Sequence, residues 1–372
     1  MILCAKKMAH SVEKIFAGID DPRVEGRCLH RLKDILFIAL CTLLSNGEDF
    51  EDMVEFGNQR HGWLKEILDL PNGIPSHDTF NRVLQVIDPE QLSACLAQDG
   101  DVLIESLEGK QVNFDGKKIK GASPKSRGNK GLYILSAWVG EHRFCIGQKK
   151  VQDKSNEISA IPELIGALDL RGSMVSIDAI GCQTDIAQEI IDADADYLLA
   201  VKANQGSLYE QASDEFTWVS SQDFNEEWEY DHGRYERRKC STVAAKEVLS
   251  PDLIEKWAEV KTVIKIEAQR TVDGSTASQT RFYISSEEKQ SAYYNNAVRA
   301  HWGIENHLHW HLDVTFNEDA NRSRTGNTPQ NLNILRKMAL HRIRRMTDKL
   351  SLKKRRFRAS MNLGYLQKVL GV

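Results

Sequence analysis

Near residue 109 the hydrophobic pattern of this chain changes period, and that change limits the folds open to it. Before it, apolar residues recur three and four apart, the spacing of helices with one buried face. Arg31 to Leu44 and Phe50 to Leu70 carry this pattern, the second through Met53, Val54, Phe56, Trp63, Leu64 and Ile67. LPNGIPSHD (70–78) reads as a turn, Ser76 is placed to cap the next helix, and Asp88-Pro89 closes that helix. After the change, QVNFD (111–115) alternates: Val112 and Phe114 face one way, Asn113 and Asp115 the other. Tyr133 to Val139 and Phe144 to Val151 predict two more strands. A helix (156–170), a strand (173–177) ending at Asp178, a helix (180–195) and a strand (196–202) follow. A three-strand meander followed by helix, strand, helix and strand predicts an α/β fold whose sheet is partly parallel.

Residues 206–284 interrupt this alternation. Val260 to Thr271 and Ser278 to Ser286 flank Asp273-Gly274, a hairpin signal, and Cys240 to Val248 is a further strand candidate. HGRYERRK (232–239) is a basic cluster around an aromatic residue, either a DNA contact or a solvated loop. The expected division is a helical region (1–108), a core in two parts (109–205 and 285–319) split by a β-rich insertion (206–284), and a basic helical tail (320–372). The hairpin of helices on either side of residues 70–78 is open to two readings, a DNA-reading helix-turn-helix or plain core.

Bulk properties exclude several classes. The longest apolar run, Ile35 to Leu44, is too short to span a bilayer, and MILCAKKMAH carries no secretory signal. Seven scattered cysteines without a CxxC pair predict reduced thiols and a cytoplasmic protein. The start could be Met1 or Met8. The net charge of −4 hides an asymmetry: from Ala320 onward fourteen Lys or Arg face a single acid, Asp348. Such a segment points to phosphate binding, or else to a basic helix that is merely solvated or pairs with the acidic body.

Three acids stand out by context. Asp115 lies on a strand and Asp178 at the carboxyl end of another, where ligand sites of α/β sheets gather. Glu305 sits in RAHWGIENHLHWHLDVTFNED (299–319), where Tyr294, Val298, Trp302, Leu308, Leu312 and Phe316 predict one apolar helix face with Glu305 inside it. A carboxylate there needs a partner, either a neighbouring histidine or a cation. Converging carboxylates with a basic segment fit hard divalent ions and phosphodiester chemistry. A competing constellation is zinc held by His301, Glu305 and His309, with His307 and His311 as a second pair, but HExxH is absent.

These residues carry a resemblance. NGIPSHDTFNRV (72–83), NFDGKKIKG (113–121), KSNEISAIPELI (154–165), IDAIGCQTDIA (177–187), DYLLAVKANQG (196–206), RFYISS (281–286) and HWGIENHLHWHLDVTFNED (301–319) resemble the H-repeat-associated insertion-sequence transposases found with bacterial Rhs elements. The resemblance runs nearly end to end, and its last segment is the most specific. It implies a ribonuclease H-like core interrupted by a β-rich insertion, and Asp115, Asp178 and Glu305 as a DDE triad holding two Mg²⁺, with Mn²⁺ as a substitute. It implies cleavage of double-stranded DNA at the element ends and attack of the freed 3′-OH on target DNA, by a homodimer or larger assembly. A relic that only binds DNA and a nuclease without strand transfer are the alternatives. Related transposases carry Tyr, Arg and Lys around the third acid. Here Val298, His301 and Leu312 stand in those places, with Arg299 near enough to substitute. Lys117, Lys120 and Lys202 are the phosphate neighbours expected at the site. Arg234, Arg237, Arg238, Arg299, His301, Arg322 and Arg324 are the further DNA contacts.

Overall fold

The computed structural model describes residues 14–371 apart from 17, 25, 102–105, 123–131, 152–156, 219–222 and 232. The choice between Met1 and Met8, and the first residue of the helix expected from 156, lie outside the described residues. Helices α1 (Leu32–Leu44), α2 (Phe50–Gln59), α3 (His77–Val86) and α4 (Pro89–Asp101) open the chain. Ser76 caps α3 by accepting from the Thr79 amide. Both helices of the expected hairpin pack into the core, α2 through Met53 and α3 through Phe80, Val83 and Leu84. The outer side of α2 carries Glu51, Asp52 and Glu55, the wrong sign for a phosphate backbone.

The strands are β1 (Gln111–Ile119), β2 (Leu132–Val139), β3 (Phe144–Val151), β4 (Met174–Ile177), β5 (Asp196–Val201), β6 (Asp223–Asp231), β7 (Arg234–Ala244), β8 (Thr262–Val272) and β9 (Ser275–Ser285). They form one sheet in the order β3-β2-β1-β4-β5-β9-β8-β7-β6. β1, β2 and β3 are an antiparallel meander, whereas β1, β4 and β5 run parallel. Helix α6 (Thr184–Asp192) makes the crossover between the parallel neighbours β4 and β5, and α5 (Glu157–Gly166) precedes β4, which lies beyond β2 and β1 from β3. Both helices pack on Val112, Phe114, Val175, Ile177 and Leu199, which line one face of the sheet.

The segment from 206 begins with α7 (Gly206–Trp218) and then continues the same sheet, because β9 pairs antiparallel with β5. Asp273 and Gly274 both take positive φ, 48° and 78°, which closes the β8–β9 hairpin. Two local expectations change here. The strand expected over 240–248 ends at Ala244, and Ala245–Val248 is a helical turn. The cluster HGRYERRK is mostly strand β7, with Arg237 paired to Glu226 at 2.7 Å and Arg234 to Glu236 at 3.1 Å.

After β9 come α8 (Ser291–His301), α9 (Thr328–Arg344), α10 (Leu352–Met361) and α11 (Leu363–Leu370). Part of the basic segment expected to bind phosphate is interior: α9 is buried along nearly its whole length beside α1, whereas Arg322, Arg324, Arg345, Lys349, Lys353, Lys354, Arg358 and Lys368 are exposed. Arg336, Lys337, Arg342 and Arg356 are each no more than 5% exposed. Lys337, Arg342 and Arg356 place donors on groups inside the fold. Lys337 reaches Ser136 (2.8 Å) and Gln148 (2.6 Å), and Arg342 reaches Asp99 (2.7 Å). Arg356 binds the carbonyls of Leu43, Gly47 and Thr315 and stacks over Phe316. Charge counting along a sequence does not distinguish these structural cations from a phosphate-binding patch.

Candidate active site

Three elements converge on a cleft of about 220 Å³ lined by Asp115, Asp178 and Glu305. β1 carries Asp115 and β4 delivers Asp178 just past its last residue; the two strands are parallel neighbours, so both acids emerge at the same end of the sheet. Asp178 then caps a 3-10 turn, its Oδ1 accepting from the Ile180 amide at 3.1 Å. The Asp115 Oδ1 accepts from the Gly116 amide at 2.9 Å. Gly116 has a second reason to be glycine: a Cβ there would lie 2.4 Å from a carboxylate oxygen of the buried Glu157.

Glu305 reaches the cleft by a route the helical period conceals. Glu305–His309 and His311–Thr315 are two π-helical turns, and Phe316 N–H donates to the His311 carbonyl at 3.0 Å. The wider turn keeps residues four apart in line, so the buried row is Ile304, Leu308, Leu312 and Phe316, all fully inaccessible. Trp302 is 39% exposed and Glu305 is exposed at the cleft. The expected apolar face containing Glu305 is therefore corrected: the carboxylate stands at the rim of the core, not inside it. Isolated π turns occur preferentially at functional sites.

Burial pushes the Asp115 carboxyl up to about 7; the charges of Asp178 and Glu305 add to the shift, and the Gly116 amide opposes it. A carboxyl raised in this way favours folding while it is neutral in both states, below about pH 4. That contribution disappears as pH rises through about 7. In EDTA, the stability of wild type minus that of Asp115→Asn should fall between pH 4 and 7, by at most roughly 4 kcal/mol. Urea unfolding across that range measures it, and parallel profiles would rule the shift out.

The histidines do not form a zinc site. His301 Nδ1 lies 2.7 Å from Ser176 Oγ, His311 Nδ1 lies 3.0 Å from Thr315 Oγ1, and His309 Nδ1 faces Asp115 at 3.4 Å. Among the described residues no three His, Cys, Asp or Glu side chains are already gathered as ligands around one point. The donor set of the three acids is nonetheless all oxygen. It suits a hard cation bound through one or two carboxylates and completed by substrate phosphates.

The expected DNA contacts divide. Lys117 is enclosed, with Nζ 2.6 Å from Asp313 and 2.7 Å from Glu318, and is not open to a phosphate. Burial lowers His301 to about 4, so it brings no positive charge at neutral pH. Arg299 is held by both oxygens of Glu229. Lys120 pairs with Asp319 but stays 76% exposed, Lys202 lines the cleft, Arg322 is exposed, and Arg324 donates to the Gly121 carbonyl. Arg234 and Arg238 line a groove of about 810 Å³ with Arg143, Arg270, Arg281 and Arg299. Arg281 stacks over Trp302 at 4.6 Å, and both residues also line the carboxylate cleft, so the groove opens into it. The sequence reading missed Arg143, Arg270 and Arg281 because they are scattered singly along the chain.

No helix among the described residues is long and apolar enough to cross a membrane, and no disulfide joins the described cysteines. The family described as "Transposase DDE domain" matches residues 81–341, and the family "DDE_Tnp_1-associated" matches residues 13–98. The chain is 35% identical over 364 residues to "Putative transposase YncI" of Escherichia coli O157:H7, covering 95% of this chain and 92% of that protein. It is 34% identical over 361 residues to "H repeat-associated putative transposase YhhI" of Escherichia coli K12, covering 95% of both. A solved piggyBac transposase synaptic complex with hairpin DNA aligns at 12% identity and a TM-score of 0.42, covering 100% of this chain and 81% of that one. That likeness is too low to bear on the fold or the function.

Proposed function

The chain belongs to the DDE transposases, and from that premise we propose that Asp115, Asp178 and Glu305 are its reacting triad, cutting DNA at the element ends and joining the 3′ ends to a target. The observation that carries this reading is the meeting of the three acids at one cleft, from two adjacent parallel strands and a π-helical turn. The strand order β3-β2-β1-β4-β5, with the first pairings antiparallel and the rest parallel, supports a ribonuclease H-like core. In this reading residues 206–284 are an insertion that widens the core sheet. Helices α1–α4 and α9–α11 are packed companions of the core in this reading.

Asp115, Asp178 and Glu305 would hold divalent ions, Mg²⁺ or Mn²⁺, whose charge would activate an attacking oxygen and stabilise the departing 3′ oxygen. The protein does the rest by position. Asp178 is fixed by its cap on Ile180, and Asp115 by the Gly116 amide. Lys202 lies in the cleft beside the acids. Six arginines against Glu229 and Glu236 give the adjoining groove the sign a phosphodiester backbone requires. Two copies would serve the two ends of an element, which makes a dimer on DNA the expected assembly.

The test is a supercoiled plasmid carrying the flanking element ends, incubated with the protein and Mg²⁺ or Mn²⁺. Cleavage at the ends with joined products is expected. Cutting without joining would reassign the chain as a nuclease. Tight, salt-sensitive binding to the ends without any cutting would make it a DNA-binding relic.

A further inference from the structure

Each acid of the cleft is preceded on its own element by an uncharged polar residue. Asn113 lies two residues before Asp115 on β1, Ser176 two before Asp178 on β4, and His301 four before Glu305 at the end of α8. Two residues along a strand, or four along a helix, return to the same side. The three precursors therefore form a second layer in step with the acids, and they are bonded to one another. Asn113 and Ser176 are register partners, with Ser176 Oγ 2.7 Å from Asn113 Oδ1 and 2.7 Å from His301 Nδ1. Gln111 Nε2 joins them, 2.7 Å from Asn113 Oδ1, 3.1 Å from Ser176 Oγ and 2.9 Å from the Ala297 carbonyl. Asn113 Nδ2 donates to the Ala300 carbonyl at 3.2 Å. The last turn of α8 is thereby bound to both parallel strands. Asn113 and Ser176 are at most 2% exposed.

Counting protons fixes the network. Asn113 Nδ2 is committed to Ala300, so Oδ1 is the atom facing Ser176, and it only accepts. The single Ser176 hydroxyl proton goes to it. The contact to His301 then requires the proton on Nδ1, leaving Nε2 bare. Gln111 Nε2 has two protons for three acceptors and shares them among Asn113 Oδ1, Ser176 Oγ and the Ala297 carbonyl, and all the side chains joined in this buried layer are uncharged.

We propose that Asn113, Ser176 and His301 are positioning residues, an uncharged layer beneath the acids that sets the spacing of Asp115, Asp178 and Glu305 before an ion or DNA arrives. The inference rests on the metal-binding reading of the acids. It gives His301 a role different from the phosphate contact expected of the residue four before the third acid. Partners that orient metal-binding side chains typically matter by 10–100-fold in affinity.

The test is Mn²⁺ binding to the full-length, DNA-free protein, followed by electron paramagnetic resonance at pH 7.5. His301→Phe keeps the ring's bulk and removes the donor. His301→Asn restores an N–H near the Nδ1 position, whereas His301→Gln restores one near Nε2. Ser176→Ala removes the central hydroxyl. His301→Phe and Ser176→Ala should weaken Mn²⁺ binding roughly 10–100-fold. His301→Asn should recover most of that loss and His301→Gln little of it. Affinity for element-end DNA in EDTA and the urea midpoint report separately on phosphate contact and folding. Wild-type Mn²⁺ binding in His301→Phe, or recovery by Gln in place of Asn, would overturn the proposal. A Mn²⁺ loss no larger than the accompanying loss of stability would overturn it too. Failure of the wild-type protein to bind Mn²⁺ any better than Asp178→Asn would instead overturn the metal reading beneath it.

Discussion

Asp178→Asn is expected to abolish metal-dependent strand cleavage while leaving binding to element-end DNA in EDTA intact. The substitution keeps the shape of the side chain, and the amide oxygen can still accept from the Ile180 amide and cap the following turn. What disappears is one negative charge in a cleft that already holds Asp115 and Glu305. Removing one preorganised group that stabilises charge in a transition state typically costs about 10²–10³-fold in rate, roughly 2.7–4 kcal/mol. A fall of at least about a hundredfold follows, measured as the initial rate of plasmid nicking in Mg²⁺. DNA affinity has no reason to drop, because the lost charge repelled phosphate. A variant that nicks as fast as wild type would remove Asp178 from the reacting centre. One that also loses DNA binding would point to misfolding. The same substitution relieves part of the electrostatic burden on Asp115, whose carboxyl should titrate lower than about 7 while staying raised by burial.

How much of this could be read from the chain alone differs between strands and helices. Alternation over 111–115 placed Val112 and Phe114 on the core face and Asp115 on the other, because a strand has one strict period and a slip would expose its whole apolar face. The meander, both crossovers and the β8–β9 hairpin followed from the same logic. The helix of the third acid misled, since a period of 3.6 assumes α-helical bonding throughout. The π turns from Glu305 place Trp302 and Glu305 outward and Ile304 inward. Nothing in local composition marks that change. The basic C-terminal segment was legible only in part, for a different reason. Arginine serves phosphates and buried carbonyls equally well, and only tertiary packing shows that Arg356 binds backbone oxygens while Arg238 and Arg270 line an open groove. The layer of Asn113, Ser176 and His301 was invisible because its members are ordinary residue types, far apart in sequence and joined only by the folded sheet.

Lys117→Met should destabilise the protein by roughly 3–5 kcal/mol, the usual cost of breaking a buried ion pair from one side. Lys117 was expected beside a phosphate, so the two roles make opposite forecasts. Its ammonium is 9% exposed and sits between Asp313 at 2.6 Å and Glu318 at 2.7 Å. Glu318 is fully buried and also accepts from Asn333 at 2.9 Å, with Arg336 at 3.6 Å. Burial pushes the Glu318 carboxyl upward, but Lys117 and Arg336 overcome this and hold it at about 2. A carboxyl lowered in this way contributes stability that is complete above about pH 4.5 and is lost as pH falls through about 2. The network also has a place in the site. Lys117 is two residues beyond Asp115 on β1, and Asp313 lies in the π-helical stretch that follows Glu305, so the ion pair fastens one acid-bearing element to the other. Urea unfolding at pH 7 should show a large loss for Lys117→Met. The double variant with Glu318→Gln should lose distinctly less than the sum of the two single changes, because the stranded charge is gone. If Lys117 instead held a phosphate, the single variant would unfold like wild type and lose DNA affinity in EDTA, with a shallower salt dependence.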